Sequence, residues 1–175
     1  MSNPVLDAIA GRRSIRSYTA EKLTREQIDI LLKAAAEAPS ARNSQPWHFS
    51  VTQNRRILDE INAEVSSILK KDIGDIFHGA PAAIFLSCDQ ESRWARLDCG
   101  IAVQNIALAA HSIGLGTVIL GMPDPAFSGP RKAYFDALLK FPSAQHSFAV
   151  AVAVGVPAGS KDAHPLEPGR VSFVD

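Results

Sequence analysis

The sequence predicts a single α+β domain of 175 residues, with helices packed on a mixed, mostly antiparallel β-sheet. Helical and strand patterns alternate along the chain and are joined by mostly short connections, which is typical of one layered domain. The segment 147–154 carries the strongest strand pattern, and the segment 92–112 is a long helix with apolar residues on nearly every face. A chain of this length can bury roughly 70% of its unfolded surface in one core.

Local signals place the other elements. Asn3 caps a short helix ahead of a proline, and Gly11 supplies the left-handed residue that ends it. A capping box at Thr24–Gln27 begins a second helix, which runs to about Ala38 and ends before a proline. The remaining patterns predict strands at 48–52, 82–88, 117–120 and 171–174 and helices at 55–70 and 131–140.

Composition narrows the class of protein. The chain has 18 basic residues (lysine and arginine) and 18 acidic residues (aspartate and glutamate), so its formal net charge is zero. It therefore lacks the basic surplus of a protein that coats nucleic acid or an acidic membrane. The sequence shows no signal peptide and no apolar run long enough to cross a bilayer, so we expect a cytoplasmic location. Cys88 and Cys99 have no zinc-ligand spacing and are expected to be buried, reduced thiols.

A basic segment follows the first helix. If residues 12–16 are extended, Arg12, Ser14 and Arg16 share one side. Two guanidinium groups that flank a hydroxyl suit a phosphate, because they offer planar forks of charged donors beside a neutral donor. Composition alone equally allows a solvated basic loop.

A second motif occupies the loop 39–49, which is bounded by prolines and rich in amides and hydroxyls. Asn43 and Gln45 each carry a donor and an acceptor, the groups needed to bind the edge of a heterocycle. The same side chains can bond to their own backbone, so a structural turn is the alternative.

Glycines follow the long apolar helix at Gly114, Gly116 and Gly121. A dinucleotide-binding loop needs a strand before its glycines and a helix after them, and here the order is reversed. We therefore interpret Gly114 as part of a helix-ending turn, and Gly121 as a point where backbone can approach a ligand.

The long helix is predicted to need a partner. A helix that is apolar all round must be covered all round, and a second copy of the chain is the simplest cover in a domain this small. Its polar residues Asp98, Gln104 and Asn105 are expected to make structural hydrogen bonds. The tail 156–175 carries prolines and glycines and little that could form its own core, so it is expected to lie across the partner subunit.

The order of these motifs resembles that of the FMN-dependent nitroreductase family. The resemblance rests on the arginine–serine–arginine segment, the capped second helix, the run Pro39–Trp47, and the stretches Asp98–Asn105 and Gly114–Gly116. It covers essentially the whole chain. It implies an intertwined homodimer with two FMN sites, each lined by both subunits, in which residues 1–175 form one domain.

The resemblance also implies which residues hold FMN. The early basic segment and one basic residue of the tail would hold the phosphate. The proline-bounded loop 39–49 would reach the flavin from the other subunit. Backbone that follows the long apolar helix would pass the flavin ring. In this sequence the positions are Arg12, Arg13, Ser14, Arg16, Pro39, Ser40, Ala41, Asn43, Gln45, Leu120, Gly121 and Lys161. The family usually has a second basic residue just past Lys161, where this chain has Ala163; His164 or Arg170 would substitute for it.

The function implied by the resemblance is that of an FMN-dependent oxidoreductase. NADH or NADPH would give hydride to flavin N5, and a small organic acceptor such as a nitroaromatic or a quinone would then take the electrons in a ping-pong cycle. This chemistry needs neither a catalytic nucleophile from the protein nor a metal. A positive charge beside the ring would favour the reduced anion, and Arg16 is the candidate because it lies furthest along the basic segment.

Two alternatives stay open at this point. The same binding motifs would serve a flavin-binding carrier or sensor that does not turn over. An anion-binding interaction protein without flavin would also explain the basic segment.

Overall fold

The computed structural model describes residues 3–142, 145–163, 165, 167 and 169–174. In order along the chain, its helices and strands are α1 (Pro4–Gly11), α2 (Arg25–Ala36), β1 (Trp47–Thr52), α3 (Arg55–Leu69), β2 (Ala82–Asp89), α4 (Ala95–Ser112), β3 (Gly116–Leu120), α5 (Asp124–Ser128), α6 (Lys132–Leu138) and β4 (His146–Gly155). A 3₁₀ turn, Ala41–Asn43, lies between α2 and β1. The predicted α+β class is confirmed, because helices and strands alternate around one sheet.

The strands form one sheet in the order β1-β2-β4-β3. Its three strand pairs are antiparallel, which confirms the main character predicted for the sheet. Parallel pairing is limited, in the described residues, to an isolated bridge between Ser14 and Thr117 at the free edge of β3. β2 is central, and every residue from Ala82 to Cys88 is buried, as expected of a strand covered on both faces.

Helices cover both faces of the sheet. On one face, α3, α5 and α6 enclose a phenylalanine-rich core in which the rings of Phe127 and Phe148 stack with their centroids 4.8 Å apart. On the other face, α2 and α4 pack over Ile84 and Cys88. Because side chains alternate along β2, one strand contributes to both cores. Cys88 and Cys99 are buried free thiols, which confirms the burial predicted for them.

Local signals set most element ends. Thr24 and Gln27 form the predicted capping box, with both reciprocal hydrogen bonds present. Gly114 has a φ of +79° and ends α4, as predicted. The prediction for Gly11 is wrong, because this residue remains helical. A Cβ there would lie 2.5 Å from Nε2 of His111, so the glycine serves the close packing of α1 on α4.

Some boundaries and one strand differ from the predictions. α2 ends at Ala36 rather than near residue 38, and α4 begins at Ala95 because residues 90–94 form turns. The strand predicted at 171–174 is wrong: these residues are exposed and pair with no described strand. A short apolar segment has no stability as a strand without such a neighbour.

The long helix α4 connects the parts of the candidate site. It packs on α2 and, near its C-terminal end, on α1. Asp98 and Asn105 make the predicted structural hydrogen bonds, to Ala41 and Ala34 respectively. Gln104 is exposed instead and makes no such bond with another described residue. None of the described helices, α4 included, has the length and apolarity needed to cross a membrane.

Candidate functional site

The basic segment after α1 lies along the free edge of β3. The N–H of Ile15 donates to the carbonyl of Thr117 at 2.8 Å, and Ser14 forms its parallel bridge with the same residue. Gly116 allows this approach, because a Cβ there would lie 2.9 Å from Cγ1 of Ile15. The segment is therefore held as extended backbone where it meets the sheet, which is the condition under which its side chains alternate.

The three arginines of this segment have different surroundings. Nη1 of Arg13 donates to the carbonyls of Ala10 and Arg12, at 2.6 and 2.7 Å, and so closes the C-terminal end of α1. The side chains of Arg12 and Arg16 form no hydrogen bond or ion pair with another described residue. Two unpaired guanidinium groups on one short segment favour the binding of an anion.

Three adjoining cavities extend from this segment to the C-terminal tail. The largest, of about 420 Å³, is lined by Arg12, Arg13 and Lys161 among others. A second of about 370 Å³ adds Ser14, and a third of about 220 Å³ joins Ser14 and Arg16 to Lys161. Lys161 lines all three cavities, which we call the basic cleft.

The tail reaches the basic cleft because its first residues pair with the same segment. The N–H of Thr19 donates to the carbonyl of Val156, and the N–H of Ala158 donates to the carbonyl of Ser17, both at 2.9 Å. These bonds bring Lys161 to the basic segment, where the resemblance placed the cation of the tail.

Of the two residues expected to substitute for a second basic group, the structure describes only Arg170, and it does not line the cleft. Arg170 forms an ion pair with Glu167, with Nη2 and Oε2 2.8 Å apart, and lines none of the three cavities. His164 lies outside the described residues. Lys161 is thus the tail cation that the described structure brings to the cleft.

The proline-bounded loop is held by its own hydrogen bonds and by α4. Oγ of Ser40 accepts from the N–H of Gln45, and the carbonyl of Ser40 accepts from the N–H of Asn43, both at 3.0 Å. The buried carboxylate of Asp98 accepts from the N–H of Ala41 at 3.2 and 3.3 Å. The loop is therefore a structural turn that also leaves the amides of Asn43 and Gln45 exposed.

The loop and the basic cleft lie at opposite ends of α4. Ala41 is bonded to Asp98 in the first turn of α4, whereas Gly11, at the cleft, packs on His111 in its last turn. At 1.5 Å of rise per residue, Asp98 and His111 are about 20 Å apart along the helix axis. A single chain therefore does not bring its loop to its own basic cleft.

The end of β3 is the last predicted part of the site. Leu120 is buried and pairs with Ala151, while Gly121 is exposed and its carbonyl accepts from the N–H of Asp124 at 3.0 Å. Four residues of strand, about 13 Å, separate Gly121 from Thr117, where the basic segment meets the sheet. The free edge of β3 thus leads from the basic cleft to Gly121.

His78 lies near the basic segment and was missed in the sequence. Its φ is +57°, which is uncommon outside glycine, and burial together with the charge of Arg16 lowers the pKa of its imidazole. The carboxylate of Asp75 fixes this turn by accepting from the N–H groups of Phe77 and Gly79, at 2.9 and 2.7 Å. The available signal was an aspartate followed by a His-Gly pair, a composition common in turns.

An antiparallel sheet, a long and partly exposed helix and a basic cleft define an α+β domain that is suited to hold an anionic ligand at a sheet edge. The profile of the Nitroreductase family matches residues 9–156, which is most of the chain. The chain belongs to the nitroreductase family, and the resemblance carried by its motifs is confirmed.

Two relatives are named as putative NADH dehydrogenase/NAD(P)H nitroreductases. The protein from Archaeoglobus fulgidus is 34% identical over 165 residues, which cover 90% of this chain and 87% of the relative. The protein from Methanothermobacter thermautotrophicus is 45% identical over 123 residues, which cover 67% of this chain and 61% of that relative's length.

Solved structures share the fold over the whole chain. A nitroreductase with bound FMN from Desulfitobacterium hafniense has a TM-score of 0.91 at 31% identity, covering 100% of both chains. An FMN-dependent nitroreductase from Clostridium difficile has a TM-score of 0.90 at 31% identity, covering 99% of this chain and 100% of that one.

Proposed function

We propose that this chain forms a homodimer that binds FMN in two equivalent sites and acts as an NAD(P)H-dependent oxidoreductase. NADH or NADPH would be the electron donor, and a small organic molecule such as a nitroaromatic or a quinone would be the acceptor. The names of the relatives, the FMN-bound structural neighbour and the chemistry of the basic cleft support this proposal.

The donors of the basic cleft fit a phosphate monoester. Arg12 offers a fork of N–H donors, Ser14 a hydroxyl and Lys161 an ammonium group, and these three line the same cavity of about 370 Å³. Arg13 lines it as well, although part of its guanidinium is bound to backbone carbonyls. Arg16 lines the neighbouring cavity with Ser14, from where it can place a charge near the flavin ring.

Exposed surface on α4 supports the homodimer. One side of the helix presents Leu97, Ile101, Gln104, Leu108 and His111, which recur at intervals of three and four residues and are exposed or half-buried. We call this set the α4 stripe, and its Leu97 is 59% exposed. A stripe of this kind on a long helix favours burial against a second copy of the chain.

A two-fold axis explains how the site would be completed. If the axis passes near Gln104, the centre of the α4 stripe, the two α4 helices run antiparallel. The first turn of one α4 then faces the last turn of the other. Asp98 and the loop that it holds would then lie at the partner's basic cleft. Within one chain, by contrast, the loop and the cleft are about 20 Å apart along α4. This separation of loop and cleft along α4 is the observation that carries the proposal.

Bound FMN would supply the two-electron chemistry, and the chain would supply position, charge and shielding from water. Arg12, Ser14 and Lys161 would hold the phosphate. Arg16 would keep a fixed positive charge near the ring, and the loop of the other subunit, through Pro39–Ala41 with Asn43 and Gln45, would cover the ring and exclude water. Backbone at Leu120 and Gly121 would approach the ring edge. These roles require no nucleophilic side chain.

The test is to reconstitute the purified protein with FMN and to record its absorption spectrum, its molar mass in solution and its steady-state oxidation of NADH and NADPH with a quinone or a nitroaromatic. We expect visible flavin bands, the mass of a dimer and acceptor-dependent turnover. A colourless monomer would contradict the proposal. A coloured dimer that binds flavin without turnover would favour the carrier or sensor instead.

A further inference from the structure

The proline-bounded loop concentrates unusual backbone geometry. Arg42, Asn43 and Gln45 have φ values of +57°, +54° and +45°, in a region that residues other than glycine rarely adopt. Such conformations persist only where surrounding bonds impose them, and here Ser40 and Asp98 do so. Residues with strained backbone are frequent at ligand sites. Asn43 and Gln45 are already proposed to lie at the flavin, whereas Arg42 has not been assigned a ligand.

Arg42 offers a positive charge that the rest of the described chain does not use. Its side chain is exposed and forms no ion pair or hydrogen bond with another described residue, whereas Arg55 and Arg131 are each paired with carboxylates. The carboxylate of Asp98 is buried and accepts from the backbone of Ala41. A guanidinium on a loop that is already ordered can bind an anion at a reduced entropic cost.

We propose that Arg42 binds an anionic group, a carboxylate or a phosphate, of the molecule held in the partner subunit's basic cleft. The inference rests on the proposed function, because the two-fold arrangement is what brings the loop to that cleft. Two sources offer such an anion: the phosphate of FMN, and an acidic group on the acceptor. The chemistry is the same in both cases, a charge-assisted hydrogen bond from the guanidinium to oxygen.

The test compares Arg42→Gln with Arg56→Gln in the FMN-loaded dimer. Arg56 is a matched control, because it is exposed, forms no ion pair with another described residue and lies on α3, on the opposite face of the sheet from α4. Arg42→Lys keeps the charge and serves as the conservative variant. Because Arg42 is exposed, we expect all three variants to fold.

The first arm tests for an acidic acceptor. Benzoate and benzamide are titrated into the FMN-loaded dimer and followed through the flavin spectrum, and 4-nitrobenzoate and 4-nitrobenzamide are compared as acceptors. We expect Arg42→Gln to lower the benzoate-to-benzamide affinity ratio about tenfold, and the corresponding ratio of kcat/KM values by a similar factor, as the loss of one charge-assisted hydrogen bond would do. Arg42→Lys should keep most of both ratios.

The second arm tests for the flavin phosphate. Dissociation constants of FMN and of riboflavin are measured for each variant. A loss of about tenfold in FMN affinity in Arg42→Gln, without a matching loss for riboflavin, would assign the anion to the phosphate of the flavin.

The failures of the two proposals are distinguishable. If the protein takes up FMN and Arg42→Gln behaves like Arg56→Gln in both arms, this inference is wrong and the proposed function stands. If the unaltered protein takes up no FMN, the proposed function is wrong.

Discussion

Arg16 is the residue through which the chain would most directly influence a bound flavin. It is exposed and shares a cavity with Ser14 and Lys161. Its charge also adds to the effect of burial in lowering the pKa of the His78 imidazole. We predict that Arg16→Gln lowers the reduction potential of the flavin by about 30 mV, the two-electron equivalent of about 1.4 kcal/mol, because the reduced anion loses a stabilising charge. Spectroelectrochemical titration measures this potential.

The same substitution has an internal control. Removing the charge of Arg16 should raise the pKa of His78, which NMR titration of the imidazole protons can follow. An unchanged flavin potential together with a raised pKa of His78 would show that Arg16 lies beside the histidine but does not influence the ring.

Gly116 controls how closely the basic segment approaches β3. A Cβ there would lie 2.9 to 3.1 Å from three atoms of Ile15. We predict that Gly116→Ala lowers the free energy of unfolding by about 1–3 kcal/mol and weakens FMN binding, because a displaced Ile15 takes Ser14 with it. Urea unfolding and FMN titration measure the two effects. In an Ile15→Ala background the loss of stability should be smaller, and an equal loss in both backgrounds would rule out this contact as the cause.

At the residue scale, the sequence and the family resemblance grouped side chains that also lie together in the structure. Arg12, Ser14 and Lys161 were predicted as one cluster, with Lys161 taken from the family resemblance, and the structure brings all three to one cavity. His78 was missed because its residue type did not distinguish it from the other histidines. Its position depends on a turn that Asp75 holds, and its pKa is affected by Arg16, which is distant in sequence; local patterns do not contain that long-range relation.

Among the elements, α4 is joined to the proline-bounded loop through Asp98. We predict that Asp98→Ala lowers the free energy of unfolding by about 1–3 kcal/mol, because the N–H of the half-buried Ala41 loses its acceptor. The loosened loop should also be cut faster by trypsin after Arg42. Asp29→Ala removes a surface partner of Arg25 and should cost less than about 1 kcal/mol. Unchanged cleavage after Arg42 in Asp98→Ala would contradict this role of the carboxylate.

Helix and strand predictions were accurate where a short-range sequence pattern marks the end of an element, and they failed where no such pattern exists. The capping box of α2 and the left-handed glycine after α4 were placed correctly, since each is a short-range hydrogen-bond pattern. α5 was missed, because five residues that include a proline carry too little periodicity to indicate a helix. The strand at 171–174 was wrong, because an apolar run needs a neighbouring strand that no sequence pattern guarantees.

For the whole molecule, the α4 stripe is predicted to be the dimer interface. Leu97→Glu places a charge on the stripe and should shift the dimer towards monomer, with loss of bound FMN, because loop and cleft then separate. Leu69→Glu, at a residue 46% exposed on α3, is the matched control and should leave both properties unchanged. Light scattering coupled to gel filtration measures the mass. A Leu97→Glu protein that stays dimeric and yellow would place the interface elsewhere.

Subunit mixing tests most directly whether each site takes its cleft from one chain and its loop from the other. Arg12→Glu should disable the cleft and Ser40→Trp the loop, so that neither variant alone retains FMN. When both are produced together in equal amounts, half of the dimers are mixed and each mixed dimer has one intact site. Bound FMN should therefore recover to about one quarter of the unaltered level. No recovery, in a sample that mass spectrometry shows to contain mixed dimers, would contradict the account.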